Sequence, residues 1–306
     1  MYKCWLQLIC GALVIFFAGK NYTPYSQFFI AQAEIKTSWF QALLWEVLKA
    51  FPECCVMALI LYVTKDPILG LSTALGIILV HFIIIAWILY HRIEKIKVPF
   101  SFWLLMSFVI LLTISITQKL GFGFLKVGLA SILLLAGYVA YFRIMLVEKE
   151  VSLPDLHLKP MIIYLRFFIA TILIIGGAGQ VTYASKEIIT QLHWSSPWVG
   201  ALILAPIACF PKLSFVLSKK DFDIEELLQS SIFILGVFVF LIDFFHFHEV
   251  VFIKAEKGLF YLVLETMIFS FLILGAITWL KQKKIFSILV ILGYLGSFIS
   301  FSRLLR

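Results

Sequence analysis

Apolar residues in this chain come in long unbroken runs rather than in stripes. Between Ile68 and Tyr90 there is no Asp, Glu, Lys or Arg, and Ile, Leu and Val dominate. A run with neither a 3.6-residue nor a two-residue alternation buries all of its faces, in protein or in lipid. Similar runs recur along the whole chain, separated by short stretches bearing Lys, Gly and Pro. About ten of them reach the 17–25 residues that a hydrocarbon core requires. They fall near 3–19, 40–63, 67–90, 98–117, 124–147, 160–184, 196–218, 224–245, 258–280 and 285–301. The expected fold class is an all-α polytopic membrane protein.

Composition agrees. Of 306 residues, 62% are hydrophobic and only 14% charged, and the mean hydropathy is +1.05. A soluble domain of this length cannot bury so much apolar surface, so membrane lipid is the main solvent and a partner. The formal charge of +8 is spread over short loops rather than gathered in a patch, which argues against nucleic acid. The loop Lys and Arg are more numerous on the side opposite the two ends of the chain. That bias places both termini outside the cytoplasm of an inner, cell-type membrane. The segment up to Gly19 has Lys3 and then an apolar run, as a signal peptide does, yet shows no clear small-residue cleavage site. It is read as the first span. Cys4, Cys10, Cys54, Cys55 and Cys209 form an odd set with no CxxC spacing. They read as reduced packing residues, with soft ligation by Cys54, Cys55 and Cys209 as the alternative.

The chain also matches itself. "WFQALLWEVLKAFPE" (39–53) aligns without a gap on "WVGALILAPIACFPK" (198–212), 159 residues later. Trp39/Trp198, Ala42/Ala201, Leu43/Leu202, Phe51/Phe210 and Pro52/Pro211 are identical, and the same offset pairs Thr23 with Thr182 and Ser26 with Ser185. Chance similarity between two apolar helices is the competing explanation, but Trp and Phe-Pro are uncommon. The offset spans an odd number of segments, so the second copy lies upside down in the membrane, the plan of many secondary transporters. The expected organisation is a first five-span repeat (1–147), a charged linker "EKEVSLPDLHLK" (148–159) and a second repeat (160–306).

"LLWEVLKAFPECC" (43–55) sets two carboxylates, an ammonium and a proline inside an apolar run. Proline removes a donor and frees a carbonyl one turn back. At bilayer depth such a break, like a charge, is tolerated only against protein or a wet cavity. Pro52 and Pro211 are therefore expected helix breaks beside a midplane site. Glu46, Lys49 and Glu53 follow an i, i+3, i+7 spacing and are expected on one helix face. A Glu–Lys–Glu ladder that only staples helices together is the alternative.

These residues resemble the calcium/cation antiporter superfamily, which includes sodium/calcium exchangers. Its hallmark is an inverted pair of repeats, each with G-T-S-x-P-E followed by G-N-x-x-G-S-N. "SSPWVGALILAPIACFPK" (195–212) fits the spacing of the second copy at Ser195, Val199, Gly200, Ala205 and Pro211, and "QSSIF" (229–233) resembles G-S-N-I-F. In the first copy Pro52-Glu53 matches P-E, and Gly70 matches the glycine of G-N in "GLSTALG" (70–76). The resemblance implies facing glutamates that hold a cation, with hydroxyls and carbonyls completing an oxygen cage. Here Glu53 keeps one carboxylate and Lys212 replaces the other. G-T-S becomes Leu48-Lys49-Ala50 and Ile207-Ala208-Cys209, while Glu226 replaces an Asn and Ser230 and Ser231 remain.

Glu46 and Glu53 against Lys49 and Lys212 sum to zero charge. Calcium wants six to eight oxygens, usually with carboxylate charge. Lys212 is expected instead to set its ammonium opposite Glu53, either as a titratable stand-in for a cation or as a lock. The cation-site candidates are Glu53, Lys212, Lys49, Glu46, Cys209, Ser230, Ser231 and Glu226. The expected partners are inorganic cations, with calcium, sodium and proton all open. No cofactor or resident metal is called for. "DFDIEE" (221–226) reads as a helix start, with a cation-regulatory patch as the alternative. "HFHE" (246–249) reads as interfacial, with a transition-metal site as the alternative. No Asp-rich diphosphate motif, Walker A, HExxH or GxSxG occurs, so an enzyme is not expected. The leading expectation is a secondary antiporter with altered ion choice or coupling. The alternatives are a non-transporting structural or regulatory descendant and a ten-span transporter of an organic solute.

Overall fold

The computed structural model describes residues 2–32, 39–91, 98–118, 123–124, 127–145, 159–218, 224–246, 257–279 and 282–304. These are helical apart from short connecting turns and an antiparallel ribbon of two residues per strand, Gly123–Phe124 (β1) with Val127–Gly128 (β2). In chain order the helices are α1 (Tyr2–Gln32), α2 (Trp39–Lys49), α3 (Phe51–Thr64), α4 (Pro67–His91), α5 (Phe100–Gln118) and α6 (Leu129–Met145). They continue with α7 (Pro160–Leu192), α8 (196–218), α9 (Ile224–Phe245), α10 (Lys257–Thr278) and α11 (Lys283–Leu304). Six described helices are long and apolar enough to cross a bilayer, and α2 with α3 makes a seventh if the bent pair is one span. Two more, within α5 and α6, are apolar but shorter. The chain is an all-α multi-pass membrane protein. The 148–158 part of the expected linker lies outside the described residues.

Several boundaries differ from expectation. α1 and α7 run past the apolar segments to Gln32 and Leu192. At 1.5 Å per residue each is about 45–50 Å long, more than a hydrocarbon core of about 30 Å, so their polar ends project or the helices tilt. The segment expected from residue 124 turns first through the ribbon, and α6 starts only at Leu129. A buried Asp243 carboxylate accepts the Gly128 amide at 2.6 Å and fixes that start against the end of α9.

Burial divides the bundle. α4 is the central helix, 89% buried in its apolar window, while α1 and α7 are only 33% buried. On α7 the outer face carries Leu165, Phe168 and Ile172, all exposed, which is the face lipid covers. Hydroxyls inside the core close on the carbonyl one turn back: Thr73 on Leu69, Thr266 on Leu262 and Ser270 on Thr266, each at 2.7 Å. No hydroxyl of these three is left to find water it cannot reach.

α1 and α7 run antiparallel along one another. Trp5 meets Trp194, Tyr22 stacks on Phe167, and Phe29 meets Tyr164. They cross at Gly11 and Gly177, where a Cβ on either would lie 2.9 Å from the other's carbonyl oxygen. α4 and α9 also run antiparallel, with Gly70 against Ile242 and His81 against Ser231. The start of α4 is tied to the start of α8. Asp66 caps α4 by accepting the Ile68 and Leu69 amides, and its other oxygen accepts the Ser196 hydroxyl at 2.6 Å.

The two Phe-Pro positions behave differently. After Lys49 the helix stops at Ala50, and α3 leaves at 80° to α2. Pro52 sits in the first turn of α3, where its missing N–H costs nothing. Pro211 was expected to break its helix too, but α8 runs straight through it. Its departure from α geometry comes earlier, as a π turn over Gly200–Leu204. The ring of Pro211 is seated against α1, 2.2 Å from where a Cβ on Gly19 would stand.

α4 and α8 touch backbone to backbone. A Cβ on Gly76 would lie 2.5 Å from Ala201 Cα and 2.7 Å from Ala205 Cβ, whereas one on Gly176, on the outer face of α7, meets nothing within 4 Å. Small residues at such crossings allow the close approach that holds membrane helices together. Gly76→Val should therefore destabilise the detergent-solubilised protein by about 1–3 kcal/mol through overpacking, and Gly176→Val should be close to neutral. Thermal unfolding of the two variants side by side checks the difference.

Candidate cation site

Because the chain turns at Ala50, Glu53 falls in the first turn of α3 rather than on a continuation of α2. An anion suits that position, where unpaired amides point outward. Its side chain is nonetheless fully buried. A lone charge at such a place costs about 2.5–3.5 kcal/mol or more in a membrane, so a partner is required. Lys212, from α8, brings its Nζ to 2.8 Å from Glu53 Oε1. The same ammonium donates to Ser230 Oγ of α9 at 2.5 Å. The Lys212 contact is an ion pair at hydrogen-bond distance, and the ammonium, with three N–H donors, serves Ser230 as well.

A third element closes the site. His81, buried in α4, sets Nε2 3.8 Å from Glu53 Oε1 and 3.9 Å from Cys209 Sγ of α8. Its other nitrogen, Nδ1, lies 2.8 Å from Ser231 Oγ. The Ser231 hydroxyl donates to the Leu227 carbonyl at 2.9 Å. A hydroxyl has one proton, so Ser231 accepts from Nδ1–H, and the lone pair of a neutral His81 sits on Nε2, facing Glu53 and Cys209. α3, α4, α8 and α9 therefore converge on one buried polar centre.

Of the residues singled out from sequence, the structure brings Glu53, Lys212, Ser230, Ser231 and Cys209 together. It does not bring Lys49 and Glu46 to Glu53. Their expected common face is lost at the 80° bend. Lys49 pairs instead with Glu226 of α9 at 3.3 Å and lies 4.6 Å above the Trp45 ring. Glu46 stays half-buried on α2, before the bend. Lys49 and Glu53 thus stand in different ion pairs, one on either side of Ala50. Of "DFDIEE", Ile224, Glu225 and Glu226 open α9, and 221–223 lie outside the described residues. Of "HFHE", only His246 is described, and its Nδ1 is occupied by the Ile242 carbonyl at 2.8 Å.

His81 belongs to no motif and escapes a motif-based reading. One signal does point to it: an ionisable side chain near the middle of a 25-residue apolar helix is a functional candidate by default. Its partners come from α3, α8 and α9, which the local sequence around it does not encode.

No family model matches the chain, and no curated protein matches its sequence. Solved structures do. The structure of YfkE superposes with a TM-score of 0.68 at 12% identity, covering 97% of this chain and 91% of that one. The H+/Ca2+ exchanger CAX superposes at 0.68 and 14% identity, covering 95% and 82%. The sodium-calcium exchanger NCX_Mj, soaked with Na+ and Sr2+, superposes at 0.58 and 14% identity, covering 98% and 99%. At these identities the likeness is one of fold, and it extends over nearly the whole chain. The motif resemblance to the calcium/cation antiporter superfamily is thus matched in architecture: this is a membrane protein with the fold of the cation exchangers.

Proposed function

We propose that the chain is a secondary antiporter of inorganic cations, built from two inverted five-helix repeats, in which Lys212 competes with the transported ion for Glu53. The repeats are α1–α6, with α2 and α3 counted as one bent span, and α7–α11, with both termini outside the cytoplasm. Equivalent helices support the inversion, since α1 runs antiparallel to α7 and α4 to α9. The packing supports it too. α1 lies on α8 as α7 lies on α3, α10 lies on α4 as α5 lies on α9, and α11 lies on α4 as α6 lies on α9. Exchange of the two halves maps these contacts onto one another. A bundle so arranged can rock around a fixed central site.

The observation that carries the reading is the fully buried Glu53 carboxylate, placed at a helix break and neutralised by a mobile-ended lysine rather than by a second fixed residue of rigid geometry. An ammonium on four rotatable bonds can leave when an ion arrives and return when it departs. Calcium is poorly matched to this centre. Ala50 and Cys209 stand where the superfamily pattern has hydroxyls, and Glu53 with Lys212 offers no net charge to a dication. Ion choice has shifted away from a hard, oxygen-caged cation.

A second reading has one observation in its favour: the Glu53–Lys212 pair is already complete, as it would be in a descendant that has become a structural or regulatory protein. Reconstitution into proteoliposomes, with a panel of monovalent and divalent cations and imposed pH gradients, separates the two. The antiporter reading expects counter-gradient-driven flux of at least one cation, lost in Glu53→Gln. Absence of flux for every cation in either direction sinks it in favour of the second reading. Calorimetry supplies an independent check. Purified wild type should show no micromolar calcium binding, and such binding abolished by Glu53→Gln would overturn the charge argument.

A further inference from the structure

We propose that Glu53, His81 and Cys209 form a binding site for a thiophilic transition-metal dication of the zinc class, which displaces the Lys212 ammonium from Glu53. The inference deepens the antiporter reading by naming an ion class, and it replaces the expectation from sequence that no metal is held. It starts from the donor set. A carboxylate oxygen, an imidazole nitrogen and a thiol sulfur lie within 4.8 Å of one another, and all three side chains are fully buried. Nitrogen and sulfur donors select zinc-like ions over calcium and magnesium, which take oxygen.

The spacing also fits. Tetrahedral zinc, with bonds of about 2.0–2.3 Å, sets its ligand atoms about 3.3–3.8 Å apart. Here Nε2 is 3.8 Å from Oε1 and 3.9 Å from Sγ. The two imidazole edges contract by about 0.5 Å, and the carboxylate–sulfur edge, no longer than 4.8 Å, by up to about 1.3 Å, to close on an ion of that size. Three protein ligands leave a fourth position open, as exchange with a second side of the membrane requires.

The surroundings are those of a ligating histidine. Ser231, anchored on the Leu227 carbonyl, holds the Nδ1–H of His81 and leaves the Nε2 lone pair aimed into the triangle. An outer hydrogen bond of this kind fixes tautomer and ring orientation at metal centres. The Lys212 ammonium at Glu53 Oε1 is the partner the metal replaces, and its departure frees the carboxylate for the ion.

Binding of the dication releases one proton. The dication forms a bond to Cys209 sulfur as the S–H proton passes to solvent, and metal affinity is linked to that release. An ammonium 2.8 Å from the same carboxylate oxygen repels the incoming dication, so the two occupy Glu53 in turn. Lys212 retains Ser230 as its other partner, 2.5 Å away. The dication with the Glu53 carboxylate and the Cys209 thiolate sums to zero, and the displaced Lys212 ammonium leaves one positive charge on Ser230, the repulsion that Lys212→Met removes.

The test is titration of the purified full-length protein in detergent with Co2+ as a spectroscopic stand-in for Zn2+, followed by competition with Zn2+ and with Ca2+. Expected is one Co2+ per chain with a thiolate charge-transfer band, bleached by Zn2+ and untouched by millimolar Ca2+. Cys209→Ala should lose the band, and Cys54→Ala should keep it. Ser231→Ala should weaken binding about tenfold, as outer-shell losses do, and Lys212→Met should tighten it by a similar factor. X-ray absorption on the wild-type zinc complex needs no variant to fold, and should find one sulfur and at least one imidazole around the metal. A shell of oxygen and nitrogen alone, or a thiolate band that survives in Cys209→Ala, overturns the proposal. Sulfur coordination with no flux of any cation in proteoliposomes removes the transport reading and leaves the site. Cation flux with no sulfur in the shell does the reverse.

Discussion

A carboxylate with no exposed surface cannot be left without a cation, and in this protein the rest of the central architecture follows from that demand. Glu53 is buried among four helices. Idealised transfer of such a group into a low-dielectric interior costs far more than the whole stability of a domain, so geometry must supply compensation. It does so twice. The chain turns 80° at Ala50, which presents Glu53 at the start of α3, where backbone amides favour an anion. α8 then passes close enough for Lys212 to reach the carboxylate.

That close passage depends on small residues. Gly76, Ala201 and Ala205 let α4 and α8 meet at backbone distance, and this brings His81 beside Cys209. Asp66 and Ser196 hold the starts of the two helices together at one end of the crossing. Ser230 and Ser231, consecutive on α9, serve different partners: the first accepts a hydrogen bond from Lys212, the second from His81. Packing, capping and the polar centre are in this sense one arrangement. A change in helix separation of about 1 Å would weaken the pairing that compensates the buried Glu53 charge.

Much of this was legible in the sequence because the bilayer permits so few backbone structures. A charge-free run such as 68–90 has to be a helix, and the helix is there. The superfamily resemblance and the 159-residue offset drew attention to Glu53 and Lys212, because both rest on residue type at fixed spacing. What escaped lies in three dimensions. The helical spacing of Glu46, Lys49 and Glu53 assumes a continuous helix, and the turn at Ala50 voids it, sending Lys49 to Glu226. Pro211 reads like Pro52, yet its helix continues through it and the ring is received against α1. His81 is surrounded in sequence by Val80 and Phe82 and acquires its meaning only from three other helices.

The central claim is that the Lys212 ammonium is the counter-charge that makes burial of Glu53 tolerable, so the energies of the two residues are not independent. A double-mutant cycle on unfolding in detergent measures this directly, with Glu53→Gln, Lys212→Met and the double variant. Removing one partner of a buried pair typically costs about 3–5 kcal/mol. Each single change should be strongly destabilising, and the double variant should be milder than their sum, with a coupling of at least about 1 kcal/mol. Additive effects would contradict the account, because they would mean that each charge is satisfied without the other.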